Sequence, residues 1–170
     1  TAQLAAADNL TDRLAALKVL AFHGQEADWA DPLQAFYDAW GHETLVVNQW
    51  LALQATMPDS SAIARVRKLM HHPDFDLRNP NKVRSLVGAF AGQNPVNFHS
   101  ADGEGYRLLA ETVAELNGVN PQIASRLLAP LTKWRYYVGR SELMRAELEK
   151  LAALSDLSPD VYEVVTKSLQ

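Results

Sequence analysis

The 170 residues are nearly half hydrophobic, enough chain and apolar content to bury roughly two thirds of the unfolded surface around a real core, which excludes a disordered chain. A formal net charge of -4 argues against a dedicated nucleic-acid binder, and zero cysteines exclude disulfides and thiolate ligands or nucleophiles. No apolar run approaches the ~18 residues of a membrane span and no signal-peptide pattern opens the chain, so a cytoplasmic setting is expected. A chain that begins at Thr1 without an initiator Met is expected to be a piece of a longer polypeptide.

In chain order, the first predicted helix covers 10–23. Leu10, Leu14, Leu17, Leu20 and Ala21 recur at the helical period, Asn9 or Thr11 caps, and Gly24 stops. Residues 31–40 carry Leu33, Phe36, Tyr37 and Trp40 on one face and end at Gly41. Residues 43–56 form a broad apolar stripe through Trp50 and Leu53 that Met57-Pro58 breaks. Asp59-Ser60-Ser61 caps the next helix, with Ile63, Val66, Leu69 and Met70 inward, and His71-His72-Pro73-Asp74 is a loop underlain by Phe75 and Leu77.

Further helices are predicted at about 80–91, 103–117, 121–138, 140–154 and 159–169. Their starts are explicit: in Asn79-Pro80, Asn94-Pro95, Asn120-Pro121 and Ser158-Pro159, a side-chain acceptor is followed by a proline whose missing N–H would have been unpaired anyway. Gly118 and Gly139 are the matching stops. Period-two runs of β-branched residues are absent, so the fold class is all-α with eight or nine helices. The helices suit either a globular bundle or a stack of helix pairs, and no clean repeat of 30 to 45 residues selects between them.

Most candidate chemistry has a structural reading. His42-Glu43-Thr44-Leu45-Val46 opens like the HExxH zinc motif, but Val46 stands where the second histidine is needed, leaving the acidic first turn of a helix. His71, His72, Asp74 and Asp76 read as solvated loop residues. In His99-Ser100-Ala101-Asp102, sequence neighbours do not make a triad; Ser100 or Asp102 is expected to cap the next helix, with cleft lining by Asn97-Phe98-His99 as the alternative. Gly103-Glu104-Gly105 lacks the preceding strand of a phosphate cradle. The basic aromatic run Lys133-Trp134-Arg135-Tyr136-Tyr137 is explained by cations at a helix end and cation–π packing, and Trp29, Trp40, Trp50 and Trp134 read as core or seam residues.

Two arginines remain. On an ideal helix Arg84 projects roughly 110° from the centre of the face made by Val83, Leu86, Val87 and Phe90, and Arg126 about 95° from the stripe of Ile123, Leu127, Leu131 and Trp134. Both guanidinium groups therefore sit at the margin of a buried face, where they reach either a groove or open solvent.

Four segments carry a resemblance to a known family. They are Trp50-Leu51-Ala52-Leu53-Gln54-Ala55-Thr56, Asn79-Pro80 running into Gly88-Ala89-Phe90-Ala91-Gly92, Asn120-Pro121 through Arg126, and Leu157-Ser158-Pro159-Asp160-Val161-Tyr162-Glu163. From Leu10 to the end the chain resembles the C-terminal helical domain of the bacterial aminopeptidase N family, the M1 zinc metallo-aminopeptidases. The resemblance implies an irregular superhelix of antiparallel helix pairs, ARM/HEAT-like, with 1–170 as one helical domain of a larger enzyme that removes N-terminal residues from peptides. It implies that zinc, its HExxH ligands and the catalytic groups lie upstream, that none is in this chain, and that this domain closes over the active site. It further implies that Arg84 and Arg126 line the substrate cavity, and that the partners are the upstream catalytic domain and peptide substrates, with no nucleic acid or membrane. A free-standing helical scaffold that binds a peptide or protein in its groove is the alternative.

Overall fold

The computed structural model describes Ala2 and residues 9–170, and among them every regular element is helical. The chain runs through α1 (Leu10–His23), α2 (Glu26–Trp40), α3 (Thr44–Thr56) and α4 (Ala62–Leu69). A composite rod follows, made of α5 (Pro80–Val83), a π-helical turn (Arg84–Gly88) and α6 (Ala89–Gln93). Beyond it come α7 (Pro95–Phe98), α8 (Glu104–Asn117), α9 (Pro121–Leu127), α10 (Ala129–Thr132), a 3-10 turn (Trp134–Tyr136), α11 (Ser141–Ala152) and α12 (Pro159–Leu169).

The proline-preceding caps work as their chemistry requires. The side chain of Asn79 accepts from the N–H groups of Asn81 and Lys82, Asn94 from Asn97, Asn120 from Ile123 and Ser158 from Val161. Asn9, rather than Thr11, caps α1 by accepting from the Asp12 N–H. Among the described residues twelve α-helices stand where eight or nine were expected, because short turns split several of them, and two boundaries differ most from the sequence expectation. α2 starts at Glu26 instead of 31, because the Asp28 carboxylate accepts the Gln25 N–H at 2.8 Å and fixes a first turn that tolerates Pro32 in the next. The helix expected over 121–138 breaks into α9, α10 and the 3-10 turn, since Pro130 has no N–H to continue the ladder.

Packing follows chain order, as in a stack of helix pairs: α1 on α2, α2 on α3, α3 on α4, then α8 on α9 and α11 on α12. α4 meets α8, which joins the two halves, and α9 meets α12 within the second. α3 is the central element, with Val46, Val47, Trp50, Leu51, Leu53, Gln54 and Ala55 all buried, and it carries apolar residues around most of its circumference for that reason. The composite rod lies across it. One core runs the length of the molecule from Leu17 through Leu51, Phe90, Tyr106 and Leu131 to Val165.

Asn94 ties this centre together. It is 1% exposed, and its Nδ2 donates to the carbonyls of Ala55 (3.0 Å) and Met57 (2.9 Å) at the end of α3, where helical carbonyls have no partner of their own. Its Oδ1 accepts from Asn97 Nδ2 at 3.0 Å. Gly105 is required for a different reason: a Cβ there would lie 2.4 Å from the carbonyl oxygen of Phe98, so only glycine lets α8 begin against the loop carrying His99.

Candidate functional site: a pocket between two arginines

The residues lining the site come from two rods. On the composite rod, Arg84, Gly88 and Ala91 are spaced by four and three positions and share one face; on α9 and α10, Ile123, Arg126, Leu127 and Pro130 follow the same spacing. The two faces enclose a pocket of about 210 Å³ whose walls are otherwise apolar. Both arginines, 42 positions apart in sequence, therefore flank a single depression.

The π turn begins at Arg84, and its widened ladder is visible in the Ala89 N–H bonding back to the Arg84 carbonyl. Single π turns inside α-helices recur at functional sites, because the inserted residue re-aims the side chains around it. Arg84 Nη2 donates to Asn81 Oδ1 at 2.6 Å, a neutral partner that steadies the guanidinium without cancelling its charge. Arg126 is exposed and makes no ion pair among the described residues. Among the described residues no carboxylate lines the pocket. Two unneutralised planar forks over an apolar floor suit a carboxylate or carbonyl carried on an apolar chain.

A second pocket of about 230 Å³ adjoins the first through Ala91 and Pro130, and His99, Lys133 and Tyr137 line it. His99 is fixed from all sides. Its Nδ1 lies 2.7 Å from the Tyr106 hydroxyl, its ring stacks on Tyr137 at 4.1 Å, and Arg140 Nε donates to its carbonyl at 2.9 Å. Burial, reinforced by the Arg140 charge, holds the imidazole pKa below its usual value, and burial pushes the Tyr106 hydroxyl up to about 12. Tyr106 therefore keeps its proton at neutral pH, and its hydroxyl shares one hydrogen bond with Nδ1 of His99.

The remaining sequence candidates have local partners. His42 and Glu43 are exposed at the start of α3 and lie 3.7 Å apart. His71 Nδ1 is 2.9 Å from the Arg67 carbonyl, His72 Nδ1 accepts from the Asp74 N–H, and Asp76 pairs with Arg78 at 3.2 Å. Asp74 accepts from the Tyr37 hydroxyl, a bond that, with burial, pushes that phenol up to about 12. Among the described residues no three His, Asp or Glu side chains gather as metal ligands. Asp102 accepts from both Ser100 Oγ (2.6 Å) and the Glu104 N–H (3.0 Å), so it is the capping group ahead of α8. In the basic aromatic run, Trp134 Nε1 and Arg135 Nη1 both donate to the Ser168 carbonyl, at 3.1 and 2.7 Å, and Arg135 stacks over the Trp134 ring. Those groups secure the last turn of α12.

Sequence phase placed each arginine at a margin, and the structure adds that the two margins face one pocket. The π turn and the part played by Lys133 were missed: a π turn leaves no composition signal, and Lys133 reaches its pocket only because Pro130 breaks the expected helix.

The comparisons with known proteins come to bear on this geometry. Residues 1–170 match the family model described as a domain of unknown function (DUF3458_C) with ARM repeats. The chain is 47% identical over 165 residues to "Aminopeptidase N" of Escherichia coli (strain K12) and 43% identical over 168 residues to "Aminopeptidase N" of Haemophilus influenzae. Each match covers 96% of this chain and 19% of the relative's length. A crystal structure of Legionella pneumophila aminopeptidase A in complex with aspartic acid superposes with a TM-score of 0.89 at 37% identity, covering 95% of this chain and 19% of that one. No described helix is long and apolar enough to cross a membrane.

Proposed function

The chain belongs to the DUF3458_C family of ARM-repeat domains, and from that membership we propose that it is the C-terminal helical domain of a zinc-dependent M1 aminopeptidase, closing over an active site built by the rest of the polypeptide. Its span of 19% of two bacterial relatives called aminopeptidase N supports this reading. The parent enzyme removes N-terminal residues from peptides, in the cytoplasm, a setting that the absence of cysteine suits. The described residues do not fit a zinc centre, so no step of the hydrolysis is assigned to them. This chain contributes enclosure and substrate orientation, and the isolated 170 residues are inactive.

The observation that carries the proposal is the pairing of Arg84 and Arg126 around one apolar pocket without a carboxylate. In the parent, that pocket forms part of the substrate cavity wall. A guanidinium there binds a peptide carboxylate or carbonyl through two parallel N–H donors and orients the substrate away from the bond that breaks. An interaction made equally in the ground and transition states lowers KM and leaves kcat unchanged.

The test uses the enzyme encoded by the whole reading frame. Arg84→Ala and Arg126→Ala each raise KM for tri- and tetrapeptides by roughly tenfold, the equivalent of one charge-assisted hydrogen bond, with kcat and thermal stability near wild type. Unchanged KM on peptides of every length would reject the cavity role. Zinc-dependent hydrolysis of an alanyl substrate by the isolated chain would reject the division of labour.

A further inference from the structure

A larger cavity, about 390 Å³, opens between α2, α3 and α4, and none of its lining residues belongs to the arginine pocket or the pocket beside it. α2 contributes Glu26 and Trp29, and α3 contributes Trp50 and Gln54, one turn apart on the same face. α4 and the loop after it contribute Arg65, Lys68 and His72, again at helical spacing. Gln54 is 5% exposed and its Nε2 has no hydrogen-bond partner among the described residues. A buried amide N–H without an acceptor is destabilising, and a native site that keeps one calls for an explanation.

The neighbouring polar groups divide into satisfied and unsatisfied. Trp50 Nε1 donates to the Leu33 carbonyl at 3.2 Å. Arg65 donates to the Gln54 carbonyl at 3.1 Å, to Ser61 and to both oxygens of Asp59, which neutralises it. Lys68, by contrast, is exposed and has no carboxylate partner among the described residues. His72 Nδ1 accepts the Asp74 N–H at 3.2 Å, so a neutral ring holds its proton on Nε2. Three donors, on Gln54, Lys68 and His72, are thus left without a protein acceptor among the described residues, and the indoles of Trp29 and Trp50 line the same space. An excess of donors asks for an anionic acceptor, and indole walls ask for a flat apolar body.

We propose that this cavity binds the α-carboxylate of a residue with an apolar or aromatic side chain, the chemistry shared by a free amino acid and the C-terminal residue of a peptide. Gln54 Nε2 and Lys68 Nζ hold the carboxylate, and Trp29 and Trp50 flank the side chain. Glu26, at the first position of α2, is available to the ammonium of a free amino acid. The site is independent of the arginine pocket and does not rest on the peptidase reading.

The test is calorimetric titration of the 170-residue chain with N-acetylphenylalanine, phenylalanine and phenylalaninamide. The first two bind and the amide, which lacks the carboxylate, does not. Tighter binding of phenylalanine, lost in Glu26→Gln, marks the free amino acid as the source; equal or tighter binding of N-acetylphenylalanine marks the peptide terminus. Gln54→Met and Lys68→Ala each weaken binding by roughly tenfold. Because its donor is unpaired, Gln54→Met leaves the melting temperature of the unliganded chain unchanged or higher, so loss of binding is not loss of fold. Absence of binding at millimolar N-acetylphenylalanine, wild-type affinity in both variants, or a clear fall in melting temperature in Gln54→Met would each overturn the proposal.

Discussion

Replacing Asn94 separates two roles that a helix-starting asparagine can have. As an N-cap it offers Oδ1 to the first turn of α7; as a staple it donates both Nδ2 protons to the buried carbonyls of Ala55 and Met57. Asn94→Ala removes both roles. Two lost hydrogen bonds at about 1 kcal/mol each and a lost cap at about 1 kcal/mol sum to roughly 3 kcal/mol. In a chain of this size that lowers Tm by roughly 6–12 °C. Asn94→Asp is the discriminating variant. Aspartate caps helices as well as asparagine does, so a purely capping residue would accept it at little cost. Here the new carboxylate oxygen would face two carbonyl oxygens in a site only 1% exposed, and the loss should equal or exceed that of Asn94→Ala at neutral pH. Urea unfolding followed by circular dichroism measures both. An Asn94→Asp protein within about 0.5 kcal/mol of wild type would refute the staple, since its two donor bonds alone are worth about 2 kcal/mol.

Two further outcomes follow from the neighbourhood of α8. His99 titrates below its usual value when folded, so between the unfolded value of about 6.5 and the folded one the unfolded chain binds more protons. Stability supplied by the neutral ring is present above that window and falls as pH drops through it; Tm measured from pH 7.5 to pH 5 should decline less in His99→Gln, and identical slopes would remove the effect. Gly105→Ala drives a Cβ into the Phe98 backbone and should cost about 1–3 kcal/mol or more in chemical unfolding, whereas Gly118→Ala, with nothing within 4 Å of the new methyl, should stay close to wild type. Equal effects at the two glycines would contradict the close approach.

Helix starts were legible because their chemistry is local. Asn79, Asn94, Asn120 and Ser158 each precede a proline, and the side chain that bonds the first turn lies within three residues of its partner. What Asn94 does with its other half was not legible, because Ala55 and Met57 are 39 and 37 positions away. The same distance rule separates the two arginines from their pocket. Periodicity placed Arg84 and Arg126 beside apolar faces, but only the tertiary arrangement that brings Gly88 of the π turn near Leu127 of α9 decides that those faces meet. Gln54 shows the limit most clearly: in sequence it is a polar residue within an apolar stripe, and its unpaired Nε2 emerges only when the partners of every neighbour are known.

Net charge was the least transferable of the sequence quantities. A total of -4 predicts repulsion of anions, yet the arginine pocket and the cavity between α2, α3 and α4 both present cations. Apart from Glu26, which lines the cavity between α2, α3 and α4, several carboxylates are committed elsewhere: Glu104 and Glu111 to Arg67, Glu147 to Lys150, Glu149 to Arg145, Glu163 to Lys167 and Asp59 to Arg65. Several of these pairs are spaced three or four positions apart, so they cancel one another along the helix that bears them. Arg84, Arg126 and Lys68 lie outside these pairings. At physiological ionic strength charges more than about 8 Å apart are largely screened, so an incoming carboxylate responds to the nearby cation and hardly at all to the acidic total. Raising the salt concentration should therefore weaken anion binding at either pocket, the opposite of what screening a net repulsion would do.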